Sequence, residues 1–238
     1  MSSGSKTSKK TFVYDGEVEV PKNVVYVEFS PTVTKVPLEA FAECVALRDV
    51  VLNEGLKMIE PYAFYSCKVL EKLKLPLSVI DIGYRAFCNC GALNEVLLNE
   101  GLQRIGENAF RGCYSLESIK IPSTVIEISY FAFANCHALR NVLLNERLQE
   151  IGWDAFKSCT ALESIKLPSN IIKIEGFRDC IALRDVTLNE GLQTIGEYAF
   201  QGCDSLENIN LPASIIEVEF KSFHFCRALC KVLLNEGL

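Results

Sequence analysis

Apolar side chains return along this chain with a fixed beat. Phe stands at 41, 64, 87, 110, 133, 156, 177, 200 and 223, so the interval is 23 residues throughout, except for one of 21 between Phe156 and Phe177. Within one unit, Leu116-Glu117-Ser118-Ile119-Lys120-Ile121-Pro122 alternates as a half-buried strand does, with Ile119 and Ile121 facing the same way. Val125 and Ile128 follow, then Ala132-Phe133-Ala134-Asn135-Cys136, too brief for more than a turn of α- or 3-10 helix. A unit this small cannot enclose its own apolar residues, but stacked copies bury them against one another. Each large side chain so buried contributes roughly 1.5–3 kcal/mol, which makes stacking the dominant stabilising effect.

The repeated pattern Leu-x-x-Ile-x-Leu-Pro, seen from Leu162 to Pro168, with Ile-x-x-x-Ala-Phe-x-x-Cys, seen from Ile105 to Cys113, resembles the BspA-like class of leucine-rich repeats. The resemblance runs over about residues 24–238, recurs nine times, and implies protein interaction, often adhesion at a cell surface. The fold expected is a β-rich α/β leucine-rich-repeat solenoid. It would be a right-handed superhelix with a parallel concave sheet and short helical or 3-10 segments on the convex side. Val24 to Pro31 fits the strand register, since Phe29 lies 92 residues, four periods, before Ile121, so about ten strands are expected.

Three units of organisation follow. Residues 1–10 are polar and basic and read as a disordered tail. Residues 11–23 hold Asp15-Gly16 between two β-prone runs, a hairpin signal, and read as an N-terminal cap. Residues 24–238 are the solenoid, of about nine repeats, with a short repeat near 171–180 and no polar segment to cover the C-terminal coil. A second period lies on the first. Strands ending in Asn-Glu-Gly-Leu or its Arg147 variant (Asn53, Asn99, Asn145, Asn189, Asn235) alternate with strands ending in Pro (Pro76, Pro122, Pro168, Pro212), so the duplicated unit is about 46 residues.

Composition narrows the function. A net charge of −6 gives no general attraction for phosphate backbones, so nucleic acid is not an expected partner, and no apolar run approaches the roughly 20 residues of a membrane span. Nine of the eleven Cys form one column, each three residues after a repeat Phe, where a free thiol packs as a small hydrophobe. Such a column could bind metal or form disulfides, but with neighbouring coils about 4.7–5 Å apart and each Cys in an apolar row, reduced thiols in the core are expected. Cys88 and Cys230 lie outside the column and are the candidates for reactive thiols. With no signal peptide in view and many thiols, a cytoplasmic setting is expected, and a cell-surface one if a leader has been removed. No cofactor or metal is called for, and only His137 and His224, in different repeats, are available for acid–base work, so an enzyme is not expected.

Surface chemistry is richest in one column. The middle residue of each strand points out of the sheet, giving Glu28, Val51, Lys74, Leu97, Lys120, Leu143, Lys166, Thr187, Asn210 and Leu233. Leucines ringed by charge suit a protein interface, and the residues from Val51 to Leu233 are the candidate partner-binding face. The alternative is a solvated Leu and a solvated Lys copied by duplication. The Asn row reads as turn chemistry rather than ligand binding. Trp153, in place of Glu107 and Glu197 of equivalent units, is a candidate hot spot on the convex side. The leading expectation is therefore a non-catalytic module that binds an unidentified protein. A structural or adhesin-type protein that pairs into a homodimer through its C-terminal coil is the alternative.

Overall fold

The computed structural model describes residues 11–234. The 1–10 tail, Asn235 and the uncovered end foreseen at 235–238 lie outside the described residues. Within them the chain winds as a parallel β-solenoid of about nine turns, with two columns of strands and a side made of tight turns. The first column contains Thr11–Tyr14, Tyr26–Phe29, Asp49–Val51, Lys72–Lys74, Glu95–Leu97, Ser118–Lys120, Asn141–Leu143, Ser164–Lys166, Asp185–Thr187, Asn208–Leu211 and Lys231–Leu234. The second contains Lys35–Val36, Met58–Ile59, Asp81–Ile82, Arg104–Ile105, Glu127–Ile128, Glu150–Ile151, Lys173–Ile174, Thr194–Ile195 and Glu217–Val218.

The core is one continuous stack. Phe41, Phe64, Phe87, Phe110, Phe133, Phe156, Phe177 and Phe200 are fully buried, and from Phe41 to Phe223 successive rings lie 5.0–6.0 Å apart at 3–12°. Nearly parallel rings at that separation are offset, the arrangement their quadrupoles favour. Beside them runs the cysteine column. The Sγ of Cys136 donates to the Phe110 carbonyl of the preceding coil at 3.3 Å, and the same bond recurs from Cys67 to Cys226. All eleven cysteines are free thiols. Burial pushes the thiols of Cys136 and Cys180 up to about 12.

Three expectations need correction. First, the helical part of the α/β reading is absent among the described residues, because each turn side is two tight turns in series. Tyr62 and Ser66 take φ of 56° and 58°, and this left-handed pair, four residues apart, recurs along the stack. Such residues break any helical run. Ala63 and Tyr65 donate to carbonyls three residues back, while Tyr62, Phe64 and Ser66 donate to Tyr84, Ala86 and Cys88 of the next coil at 2.8–2.9 Å. Every second amide thus stitches coil to coil.

Second, residues 11–23 form no hairpin. Thr11–Tyr14 pairs parallel with Tyr26–Phe29, Thr11 opposite Tyr26 and Tyr14 opposite Phe29. Asp15 Oδ1 accepts the amides of Glu17 and Val18, an Asx-type turn that leads the chain away instead of folding it back. The parallel arrangement wins because it lays Tyr14 against Phe29 and Phe41, both 5.1 Å away, and so covers the first ring of the stack.

Third, the first column is not a single ten-stranded sheet. It is hydrogen-bonded as one group of three strands and four pairs, whereas the second column, unforeseen from the sequence, is one unbroken nine-stranded sheet. Each pair joins a Pro-ended strand to the following Asn-Glu-Gly-Leu strand, as in Lys74 opposite Leu97 and Lys120 opposite Leu143. The 46-residue super-repeat therefore has a physical form.

Candidate interaction face

The asparagines explain the pairing. Asn99 Nδ2 donates to the carbonyls of Pro76 and Val79 in the preceding coil at 2.8 and 2.9 Å, and its Oδ1 accepts the Gly101 amide at 2.6 Å. Asn53, Asn145 and Asn189 repeat the arrangement. A Pro at that position has no such side chain, so only every second junction is stapled in this way. The side chains are consumed in turn chemistry, as expected for Asn at a strand end. The other junctions rely on weaker ties, such as the Thr124 hydroxyl to the Leu102 carbonyl and Glu100 to the Ser123 amide and hydroxyl.

Clefts open on the first-column face where the strand ladder is interrupted. One of about 450 Å³ lies between Asp49–Val51 and Lys72–Lys74, lined by Val51, Glu54, Lys74, Pro76 and Leu97 among others. A second, of about 250 Å³, is lined by Thr187, Glu190, Asn210 and Pro212 at the equivalent junction three super-repeat units further on.

The mid-strand column is fully outward. Val51, Lys74, Leu97, Lys120, Leu143, Lys166, Thr187, Asn210 and Leu233 are all exposed, with Val51 at 56%, Leu97 at 50% and Leu143 at 62%. Each Lys faces the next residue of the column in register: Lys74 opposite Leu97, Lys120 opposite Leu143, Lys166 opposite Thr187. Lys120 contacts Glu100 at 3.4 Å, whereas Lys74 and Lys166 make no ion pair among the described residues. Flanking charges pair among themselves, Lys72 with Glu95 at 2.6 Å and Arg48 with Glu71 at 3.7 Å, and such exposed pairs contribute little to stability.

Trp153 lies on the turn side, 36% exposed, with its ring edge-on to Phe131 at 5.3 Å. It belongs to a cluster that the sequence did not reveal. The short coil retains only Asp179 of the usual left-handed pair, so one of its two turns is missing. In this coil Arg178 has its guanidinium 5.4 Å from the Trp153 ring and 5.7 Å from that of Tyr198, and donates to Asp154 Oδ2 at 2.5 Å. Asp154 is completely buried, and Lys157 lies 3.7 Å from it. Burial raises the Asp154 carboxyl, opposed by the charges of Arg178 and Lys157.

The remaining candidates fall apart as sites. His137 stacks on Tyr114 and His224 packs on Phe225, in different coils. Of the two cysteines outside the column, Cys230 is exposed but Cys88 is buried, and burial raises its thiol, so only Cys230 keeps the candidacy for reactivity. Among the described residues there is no group of three or more metal-ligating side chains, and no helix long and apolar enough to cross a membrane.

The BspA type leucine rich repeat region model matches this chain in six copies, over residues 20–115, 57–176 and 150–238. No curated protein gives a significant match. Among solved structures, the leucine rich repeat protein of T. pallidum is 31% identical over 58% of this chain and 65% of that one, with a TM-score of 0.57. A leucine-rich repeat protein of Bacteroides ovatus is 26% identical, covering 89% of this chain and 73% of that one at a TM-score of 0.52. A leucine rich cell surface protein of Faecalibacterium prausnitzii shares the fold at 23% identity, covering 90% and 80% at a TM-score of 0.52.

Proposed function

For a chain that belongs to the BspA-type leucine-rich repeat family, we propose a non-catalytic role as a binding module that engages a protein partner through the first-column strand face. One observation carries the reading: exposed Val51, Leu97 and Leu143 alternate in register with Lys74, Lys120 and Lys166, on a face where the clefts open. Desolvating such apolar residues inside a charged rim is how interfaces gain affinity, and the lysines bias the choice toward an acidic partner surface.

The test is affinity capture from the source cell with the native protein and with Lys74→Glu, Lys120→Glu and Lys166→Glu combined. Loss of the captured partner is the expected result; an identical set of partners rules out the face. We infer a cell-surface location rather than a cytoplasmic one, a reading supported by the name of the F. prausnitzii cell surface protein, which has the same fold. Protease shaving of intact cells should then release fragments of this chain, and complete protection would speak for an internal site.

A further inference from the structure

The turn side near the N-terminal end of the solenoid holds a cavity that the strand-face reading does not use. It measures about 360 Å³ and is lined by Lys22, Glu39, Ala42, Glu43, Tyr62 and Tyr65. The Tyr62 and Tyr65 rings meet at 72° with centroids 5.6 Å apart, so they form two walls of a corner. Glu39 and Glu43 line the same space, are exposed, and make no ion pair among the described residues.

Both glutamates sit in left-handed backbone, with φ of 57° and 60°. At the position of Glu43, seven of the eight other coils carry Ser, Asn, Gly or Asp, the residues that tolerate this conformation or hydrogen-bond locally to support it. A long carboxylate thus stands where most coils place a short residue, and it brings a second negative charge to this corner. Lys22 shows what the corner accepts. Its ammonium reaches the rim and donates to the Ala42 carbonyl at 2.6 Å, yet it pairs with neither glutamate. Among the lining residues two carboxylates stand against one ammonium, and the nearest further cation is the Arg85 guanidinium, 5.9 Å from the Tyr62 ring centroid, so the onium group is left the ring faces that Arg85 does not cover.

We propose that this cavity binds an alkylammonium cation, with the tyrosine faces holding the onium group and Glu39 and Glu43 supplying the charge. Aromatic faces attract such a cation through the ring quadrupole, and more strongly where water is excluded. Two rings at a steep angle wrap a rounded onium head, whereas a planar guanidinium is best served by parallel stacking or a bidentate carboxylate. The cation can arrive as a free small molecule or as a methylated lysine side chain on a peptide, since the recognised chemistry is the same.

The experiment titrates the full chain with tetramethylammonium, with neutral tert-butanol of similar size, and with a short peptide carrying one trimethyllysine, following tyrosine ring resonances. Saturable shifts at Tyr62 and Tyr65 are expected for at least one ammonium probe. Affinity for that probe should be about tenfold above tert-butanol, and about tenfold lower in Tyr65→Leu and in Glu39→Gln with Glu43→Gln. Tighter binding of the peptide assigns the macromolecular source; equal binding assigns the free cation. If Tyr65→Leu melts early, the double Gln variant decides by itself. No saturable shift with either ammonium probe, equal affinity for tert-butanol, or undiminished affinity in the double Gln variant overturns the proposal.

Discussion

At the scale of single residues, the most consequential side chains are polar ones that the fold has buried. Asn99 satisfies two carbonyls of the preceding coil and one amide of its own turn. Replacing it by Ala leaves those buried groups without partners, and a loss of about 2–3 kcal/mol is expected in denaturant unfolding, on the usual cost of orphaned polar groups. Thr124→Ala, which removes a single bond at the weaker type of junction, should cost less than half as much; equal losses would mean that the Asn does not staple the coils. Arg178 is the second case. Arg178→Ala removes the hydrogen-bonded cation from the buried Asp154 carboxylate and leaves Lys157 at 3.7 Å as its partner, and destabilisation of about 2–3 kcal/mol is expected, the cost of losing a hydrogen bond to a buried charge. The double change Arg178→Met with Asp154→Asn should recover most of it, because the burial cost falls on the charge, and a double variant as unstable as the single would contradict this account.

At the scale of elements, strand length and strand protection run in opposite directions. Second-column strands have two residues each yet form one sheet, while first-column strands of three or four residues are paired only in groups. Amides around Ile105, Ile128 and Ile151 should therefore exchange with solvent more slowly than those of Ser118–Lys120, which edge an interrupted junction, because exchange follows local opening. Mass-spectrometric hydrogen exchange resolves the two sets, and the reverse order would refute the division. This is where sequence reading was weakest. Alternation in Leu116 to Pro122 announced the first-column strand, but Glu127–Ile128 is too short to show a period, and its strand character comes wholly from neighbours in adjacent coils. The turn side misled for a similar reason. Ala132 to Cys136 has the length of a helical turn, and only the left-handed Phe131 and Asn135 reveal that it is two turns. The hairpin failed because an Asp-Gly pair signals a reversal but does not say which edge the returning chain meets.

At the scale of the whole molecule, the thiol column ties stability to pH. Burial raises these thiols, to about 12 for Cys136 and Cys180 and to about 11 for Cys44 and Cys226. An unfolded thiol ionises near 8.5, so above that pH the unfolded chain binds fewer protons than the folded one and stability falls. The contribution is intact below about pH 8.5 and is lost progressively toward the folded values. At pH 10 each fully buried thiol costs about 2 kcal/mol relative to neutral pH, enough that the melting temperature should drop steeply between pH 8 and 10. Cys113→Ala with Cys136→Ala should flatten that slope while lowering stability at neutral pH, and a melting temperature unchanged up to pH 10 would refute the account. Because each coil touches only its neighbours, losses along the column add approximately as nearest-neighbour contributions.

The sequence by itself determined the repeat, its 23-residue period, the residues that fill the core and the 46-residue duplication, because periodic apolar positions are a local record of which side chains must be buried together. It also determined which mid-strand residues face out, since alternation along a strand is fixed by backbone geometry. Tertiary structure alone decided the rest. How strands group into pairs, that two-residue segments become a continuous sheet, that Arg178 meets Trp153, Tyr198 and the buried Asp154, and that Glu39, Glu43, Tyr62 and Tyr65 line one cavity all depend on contacts between coils. Those contacts join residues a full period apart, where the chain carries the identities of both partners but nothing local that records their meeting.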